Sequence, residues 1–402
     1  MSDEARPARA TADGQSLRFL WLYALAVAGG AIAYVPLLTI LLPVRVELYA
    51  GEDSVRWLAY LAFAGAVAAS LANIAFGWLS DKVGNRRIFV AAGLVLSTAL
   101  LLALSIPRSL PALIALLVAW QLALNMMLGP LAAWAGDVVP DRQKGMLGGL
   151  LAFAPALGAL SGAFVTLPDM AGPDARLVLV AFLVVGCVAP VLLFGRPRRF
   201  PELTAPIDDG VTADPKRPRA LVVRMWLARL LVQIAEAALF AYLYIWLRTI
   251  SPDIRDSDSA QIFGAVLLVA VPVTLLVGRW ADRNDRPILP LGVAAGIAAT
   301  ALLAMGLAPT LATALAAYAG FSLAASLFLA LHSAQTLRVL PRPESRGRDL
   351  GLFNLTNTMP SLVMPALTLA MVPVFGFSGL FMLLGGLVAA ACILLVTAPR
   401  PQ

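Results

Sequence analysis

Apolar residues in this 402-residue chain gather into runs about as long as a bilayer is thick. A spanning helix needs about 20 mostly apolar residues. Such runs are Phe19–Leu42, Trp57–Leu79, Ile88–Ile106, Leu110–Trp134, Met146–Leu167 and Leu177–Phe194. A polar stretch follows, RPRRFPELTAPIDDGVTADPKRPR, from Arg196 to Arg219. Beyond it come Leu221–Trp246, Ile262–Val277, Ile288–Leu307, Leu311–Leu337, Leu350–Met371 and Leu380–Val396. The pattern predicts an all-α membrane protein with 12 transmembrane helices. Its expected parts are a six-helix bundle over 1–195, a linker over 196–219, and a second six-helix bundle over 220–402.

Composition agrees with this reading. The chain is 60% hydrophobic and 13% charged, where a soluble domain carries about 25% charged residues. So much apolar surface exceeds what soluble cores bury, and it must face lipid. The polar first 16 residues lead into no short apolar stretch with a small-residue cleavage site, so no cleavable signal peptide is expected. The net charge of +7 does not point to nucleic acid, because the basic residues sit between apolar runs. Cytoplasmic loops are enriched in lysine and arginine. With the N-terminus inside and sides alternating, inside segments hold 23 of the 30 basic residues. Outside loops hold six (Arg45, Arg56, Arg108, Arg176, Arg248 and Arg255), and Arg229 lies within a helix. Both termini are therefore expected in the cytoplasm of a cell whose inner membrane the chain crosses. Cys187 and Cys392 fall inside apolar runs and read as packing residues.

An internal repeat follows the second and eighth runs. The chain reads Gly77-Trp-Leu-Ser-Asp81-Lys82-Val-Gly84-Asn-Arg86-Arg87, and later Gly278-Arg-Trp-Ala-Asp282-Arg283-Asn-Asp-Arg286. Gly77 and Gly278 are 201 residues apart, as are Asp81 and Asp282. Two six-helix halves related by an axis along the membrane normal are one architecture of transporters built from repeats. The first loop resembles the signature between helices 2 and 3 of the major facilitator superfamily; the second copy lacks the middle glycine. The resemblance implies two pseudo-symmetric bundles, alternating access and a monomer. It assigns Asp81 a gating contact with the start of helix 11, amid Lys82, Arg86 and Arg87, with Asp282 and Arg283 as the second copy. Gly77, lacking a side chain, is expected to admit a close neighbouring helix.

Two further resemblances point different ways. Arg348-Asp349-Leu-Gly351-Leu-Phe-Asn354-Leu-Thr-Asn357-Thr358-Met-Pro360 is similar to the start of helix 11 in bacterial sugar symporters related to sucrose and glycoside carriers. The Asp137–Gly145 loop is similar to their loop after helix 4. Within helix 5, GGLLAFAPALGALSG, with Gly149, Pro155, Gly158 and Gly162, is similar to the glycine-proline motif of drug/proton antiporters, with alanines at key glycines. Small residues in a membrane helix also serve close packing.

Ionisable groups inside a membrane are costly and mark function by default. Arg229, Gln233 and Glu236 stand at i, i+4 and i+7 on one face of helix 7, continued by Phe240 and Tyr244. At 1.5 Å per residue, Glu236 lies about 22 Å from Leu221, near mid-bilayer, and Arg229 about 12 Å. Depth disfavours a charged carboxylate, which suits Glu236 to taking up and releasing a proton. A structural ion pair with Arg229 is the alternative. Tyr34, the pair Gln121 and Asn125, and the set Asn354, Asn357 and Thr358 are candidate cavity-lining groups. Trp120, Tyr242 and Trp246 are candidate stacking platforms. Amides also glue membrane helices together. His332, the single histidine, reads as a satisfied packing residue rather than a proton relay.

No GxxxxGK(S/T), HExxH or CxxC spacing is present, so no enzyme activity, metal or cofactor is expected. The expectation is a secondary transporter of a small molecule, with proton-coupled symport of a sugar-like solute as the leading reading. Proton-coupled efflux of a drug or metabolite is the alternative.

Overall fold

The computed structural model describes residues 14–107, 109–140, 143, 147, 150, 151, 153–198, 200, 219–283, 289–339 and 346–397. Within its helices, side chains are described except at 219, 220, 275, 278–283, 333–339, 346–355, 357 and 358. The linker residues 201–218 lie outside the described residues, and so do Arg142, Lys144, Gly145 and Gly149. The described chain is helical, with no strand among its elements.

The helices are α1 (Leu17–Pro36), α2 (Leu42–Ala50), α3 (Ser54–Val83), α4 (Arg86–Ala103), α5 (Leu110–Val138), α6 (Ala154–Val165) and α7 (Pro173–Phe194). After the linker come α8 (Arg219–Ile250), α9 (Asp256–Arg283), α10 (Leu289–Gly306), α11 (Leu311–Val339) and α12 (Arg346–Val396). Nine stretches among the described residues are long and apolar enough to cross a membrane. Two of them, Leu17–Val83 and Met359–Val396, have 67 and 38 residues, which is ample for more than one crossing. Twelve crossings remains the expectation of the sequence pattern.

The first run extends past its expected end at Leu42. Pro36 removes a backbone donor and its ring crowds the preceding carbonyls, so the helix widens into a π segment, Leu37–Leu41, before resuming as α2. The Thr39 hydroxyl donates to the Val35 carbonyl at 2.7 Å, satisfying an acceptor inside that distortion. The last two runs form one element, α12, broken only at Gly376, whose φ of 65° departs from the helix. At the end of α3, Gly84 takes φ 67°, and its N–H closes the helix on the carbonyls of Ser80 and Asp81. Glycine reaches that left-handed geometry without strain.

In the first half α1 packs on α6 and α7, α3 on α5, and α4 on α5 and α7. In the second half α8 packs on α12, α10 on α11 and α12, and α9 on α11. The halves meet where α6 packs on α9, α3 on α12 and α8, the π segment on α8 and α9, and α2 on α8. Close approach is explicit at Gly158 in α6, where a Cβ would stand 2.9 Å from Val35 Cγ2 and 3.1 Å from the Ala31 carbonyl of α1. That is the packing role of a small residue in a membrane helix. Large apolar side chains such as Ile74, Val95, Phe182, Leu193 and Leu276 are exposed on the perimeter, where lipid would cover them.

Candidate functional site

Glu236 projects from the middle of α8 and is half-buried, although protein surrounds it. Its helix neighbours Ala237, Phe240 and Ala241 line a cavity between the halves. The phenols of Tyr34 in α1 and Tyr318 in α11 lie within range of its charge. Among the described residues it makes no hydrogen bond and no ion pair within 4.0 Å. Arg229 therefore does not neutralise it by direct contact. The Arg229 Nη1 stands 3.4 Å from His332 Nδ1 instead, and His332 Nε2 donates to the Met225 carbonyl at 2.8 Å. With both ring nitrogens engaged and the side chain fully buried, His332 is the satisfied packing residue the sequence suggested. Gln233 is half-buried on the same face.

One turn beyond Glu236, Phe240 lines a cavity of about 170 Å³ between the halves, with Leu38, Leu61, Gly65, Gln121 and Met364. Its walls are largely apolar. The Phe240 ring lies 6.4 Å from Tyr34 and 6.2 Å from Phe263, so one aromatic row links α1, α8 and α9. Of the described amides, Gln121 lines this cavity and also bonds with Asn125. Asn125 Nδ2 donates to the Gln121 carbonyl at 2.9 Å, and Asn125 Oδ1 accepts from Nδ2 of Asn73 at 3.3 Å, a residue absent from the sequence-based candidates. Trp120, Tyr242 and Trp246 are not platforms facing a ligand. All three are buried in the core, and Trp246 packs edge-on against Phe381 at 4.8 Å. The side chains of Asn354, Asn357 and Thr358 lie outside the described residues.

The signature loop binds the first half together. Arg86 pairs with Asp81, donates from Nε to Asp137 at 2.9 Å, and donates from Nη1 to Ser80 Oγ at 2.6 Å and to the Gly77 carbonyl at 3.2 Å. One guanidinium fork thus joins the ends of α3, α4 and α5. Arg87 donates to the Leu192 carbonyl of α7, and Lys82 Nζ sits 4.0 Å over the Trp78 ring. The expected close helix contact at Gly77 is not found: among the described residues a Cβ there meets nothing within 4 Å. The glycine leaves its carbonyl open to Arg86 instead. The side chains of Asp282 and Arg283, and of the α12 start expected to meet Asp81, lie outside the described residues.

At the face opposite the N-terminus, two ion pairs cross between the halves. Arg248 Nη1 donates to Glu47 Oε1 at 2.7 Å and to the Tyr244 hydroxyl at 3.3 Å, and Arg176 pairs with Asp256. Sequence reading counted these arginines only as loop charges. A signal was nonetheless present. Glu47 and Arg248 are 201 residues apart, the offset of the internal repeat, so they occupy equivalent places in the two halves. Equivalent residues can touch only where both lie beside the pseudo-symmetry axis.

Helices with lipid-facing perimeters, a cavity between two repeated halves and a lone deep carboxyl define a polytopic membrane transporter. The chain belongs to the Major Facilitator Superfamily, whose family model matches residues 19–333 and 252–402. It is therefore a transporter working by alternating access, and not an enzyme. Among solved structures, a bacterial homologue of the human lysosomal transporter Spinster, inward-facing and unoccupied, matches with TM-score 0.67 at 16% identity, covering 95% of each chain. The human organic anion transporter MFSD10 (TETRAN) matches with TM-score 0.63 at 16% identity, over 94% of this chain and 98% of that one. A POT family transporter in complex with 5-aminolevulinic acid matches with TM-score 0.71 at 13% identity, over 94% of each. These likenesses concern the fold. No curated protein matches in sequence.

Proposed function

We propose that the chain is a proton-coupled transporter of a small amphipathic organic molecule, with Glu236 as the group that exchanges the proton. The carrying observation is a carboxyl deep between the halves, unpaired among the described residues, one turn from a mostly apolar cavity. An ionisable group inside a membrane marks function by default, and a carboxyl beside the substrate cavity would link protonation to substrate binding. Halves 1–195 and 220–402 rock about this site, with 196–219 as a linker and Asp81 in the gating loop. The chain works as a monomer in the inner membrane with both termini in the cytoplasm, in accord with the basic-residue asymmetry.

The largely apolar wall supports efflux of an amphipathic compound over uptake of a hydroxyl-rich sugar. A ligand-induced thermal-shift screen of the purified protein tests this, with sugars in one panel and lipophilic cations in the other. A lipophilic cation should stabilise the wild type less at low pH, because a protonated Glu236 no longer attracts it. Glu236→Gln should remove that pH dependence. A sugar that stabilises the protein, with no response to lipophilic compounds, would overturn the efflux reading and restore sugar symport.

A further inference from the structure

A second cavity, of about 530 Å³, opens at the face opposite the N-terminus. Ligand sites commonly span roughly 300–1,000 Å³. Both halves build it. Its floor is apolar, from Leu37, Leu41 and Leu42 to Leu113 and Leu177, and its wall holds Arg45, Arg176, Arg248 and Arg255 beside Asp174, Asp253 and Asp256. The charges are layered. Arg45, Arg176 and Arg248 are the shielded guanidiniums, with side chains 16%, 15% and 35% exposed. The shielded acids are Asp256 and Glu47, at 18% and 27%. Asp174, Arg255 and Asp253 are more open to water, although Asp174 still closes on Arg45 at 2.6 Å. The lining itself holds four guanidiniums against three carboxylates, and each shielded guanidinium keeps N–H groups beyond its own ion pair.

Donors are also in surplus there. Each guanidinium offers five N–H groups. Arg45 uses its two terminal nitrogens on Asp174 and the Leu104 carbonyl. Arg176 donates from Nε to the Ala171 carbonyl at 3.2 Å and from Nη1 to Asp256. Arg248 uses Nη1 on Glu47 and Tyr244, while its buried Nε has no partner among the described residues.

We propose that this cavity binds a small amphipathic monoanion, such as a medium-chain carboxylate or the phosphate of a short lipid, and that the bound anion holds this face closed. The chain lies on the leucine floor and the head group takes the unused guanidinium donors. The walls come from both halves and meet through Glu47–Arg248 and Arg176–Asp256, so the cavity is complete only while the face is shut. A ligand that binds one state shifts the population toward it, and here the consequence is inhibition of transport. The inference rests on alternating access and is independent of proton exchange at Glu236.

The test uses the full chain in a neutral detergent, with octanoate as the probe and octanol and octylammonium as controls. Octanoate should raise the melting temperature saturably, and the two controls should not. Arg45→Gln should weaken apparent octanoate affinity about tenfold, the loss expected for a charge-assisted hydrogen bond. Glu236→Gln should bind octanoate like wild type. A short-chain phosphatidylglycerol that outcompetes octanoate would confirm the anion site and name lipid as its source. Equal shifts from the three octyl compounds, or loss of octanoate binding in Glu236→Gln but not in Arg45→Gln, would overturn the proposal. Spin labels across this face supply a readout that does not depend on the Arg45 variant folding. Octanoate should raise the population with short inter-half distances, and an unchanged distribution would refute state selection.

Discussion

The axial ion pair offers a direct handle on alternating access. Glu47 and Arg248 lie beside the pseudo-symmetry axis, and their 2.7 Å contact ties α2 to α8 at the closed face. Their side chains are 27% and 35% exposed, between a surface pair and a buried one. Exposed pairs contribute about 0.2–1 kcal/mol, and hydrogen bonds to charged groups about 1.5–3 kcal/mol. A coupling of about 1 kcal/mol is therefore expected, which changes a two-state ratio about fivefold. The assay is double electron–electron resonance between spin labels at Glu52 and Asp253, with Cys187 and Cys392 replaced by alanine. Glu47→Gln and Arg248→Gln should each raise the open-to-closed ratio at this face about fivefold, by that same coupling. The double variant should open no further than the more open single variant, because one interaction is lost in each case. Additive effects of the two substitutions, or distance distributions identical to wild type, would refute the assignment of this pair as a tie across the axis.

Other consequences follow from the packing and the signature loop. Arg86→Ala removes the fork joining Asp81 and Asp137 and should destabilise the protein by about 2 kcal/mol, as lost charge-assisted bonds do. Arg86→Lys should recover little in the same melting experiment, since an ammonium cannot span both carboxylates. Gly158→Leu drives a side chain into Val35 and the Ala31 carbonyl and should cost about 1–3 kcal/mol, read as a lower melting temperature, while Ser161→Ala one turn away should leave melting nearly unchanged. Gly77→Ala should leave melting nearly unchanged as well, because among the described residues nothing lies within 4 Å of the added Cβ.

Much of this architecture was legible in the sequence because the bilayer imposes a length on each apolar run. Leu110–Trp134 became α5 and Leu177–Phe194 became α7 with ends shifted by only a few residues. Pro36 was visible, but its effect was not: a proline inside a helix can kink, end or widen it, and only the packing of the neighbours decides. Glu236 was legible because a carboxyl far from either end of an apolar run has few tolerable environments. The orientation of Trp120, Tyr242 and Trp246 was not, since a helix with apolar residues on every side gives no periodicity to separate its core face from its cavity face. The Glu47–Arg248 pair was hidden for another reason. Its residues look like ordinary loop charges until the 201-residue repeat is applied to them as it was to Gly77 and Gly278.

The central claim is that Glu236 exchanges protons with the transported molecule. Its most direct measurement is proton movement in liposomes holding the purified protein and an internal pH-sensitive dye, on addition of the strongest lipophilic cation from the binding screen. The account predicts a substrate-driven proton flux in wild type that disappears in Glu236→Gln, whose weaker cation binding no longer depends on pH. A flux of equal size in Glu236→Gln would contradict it.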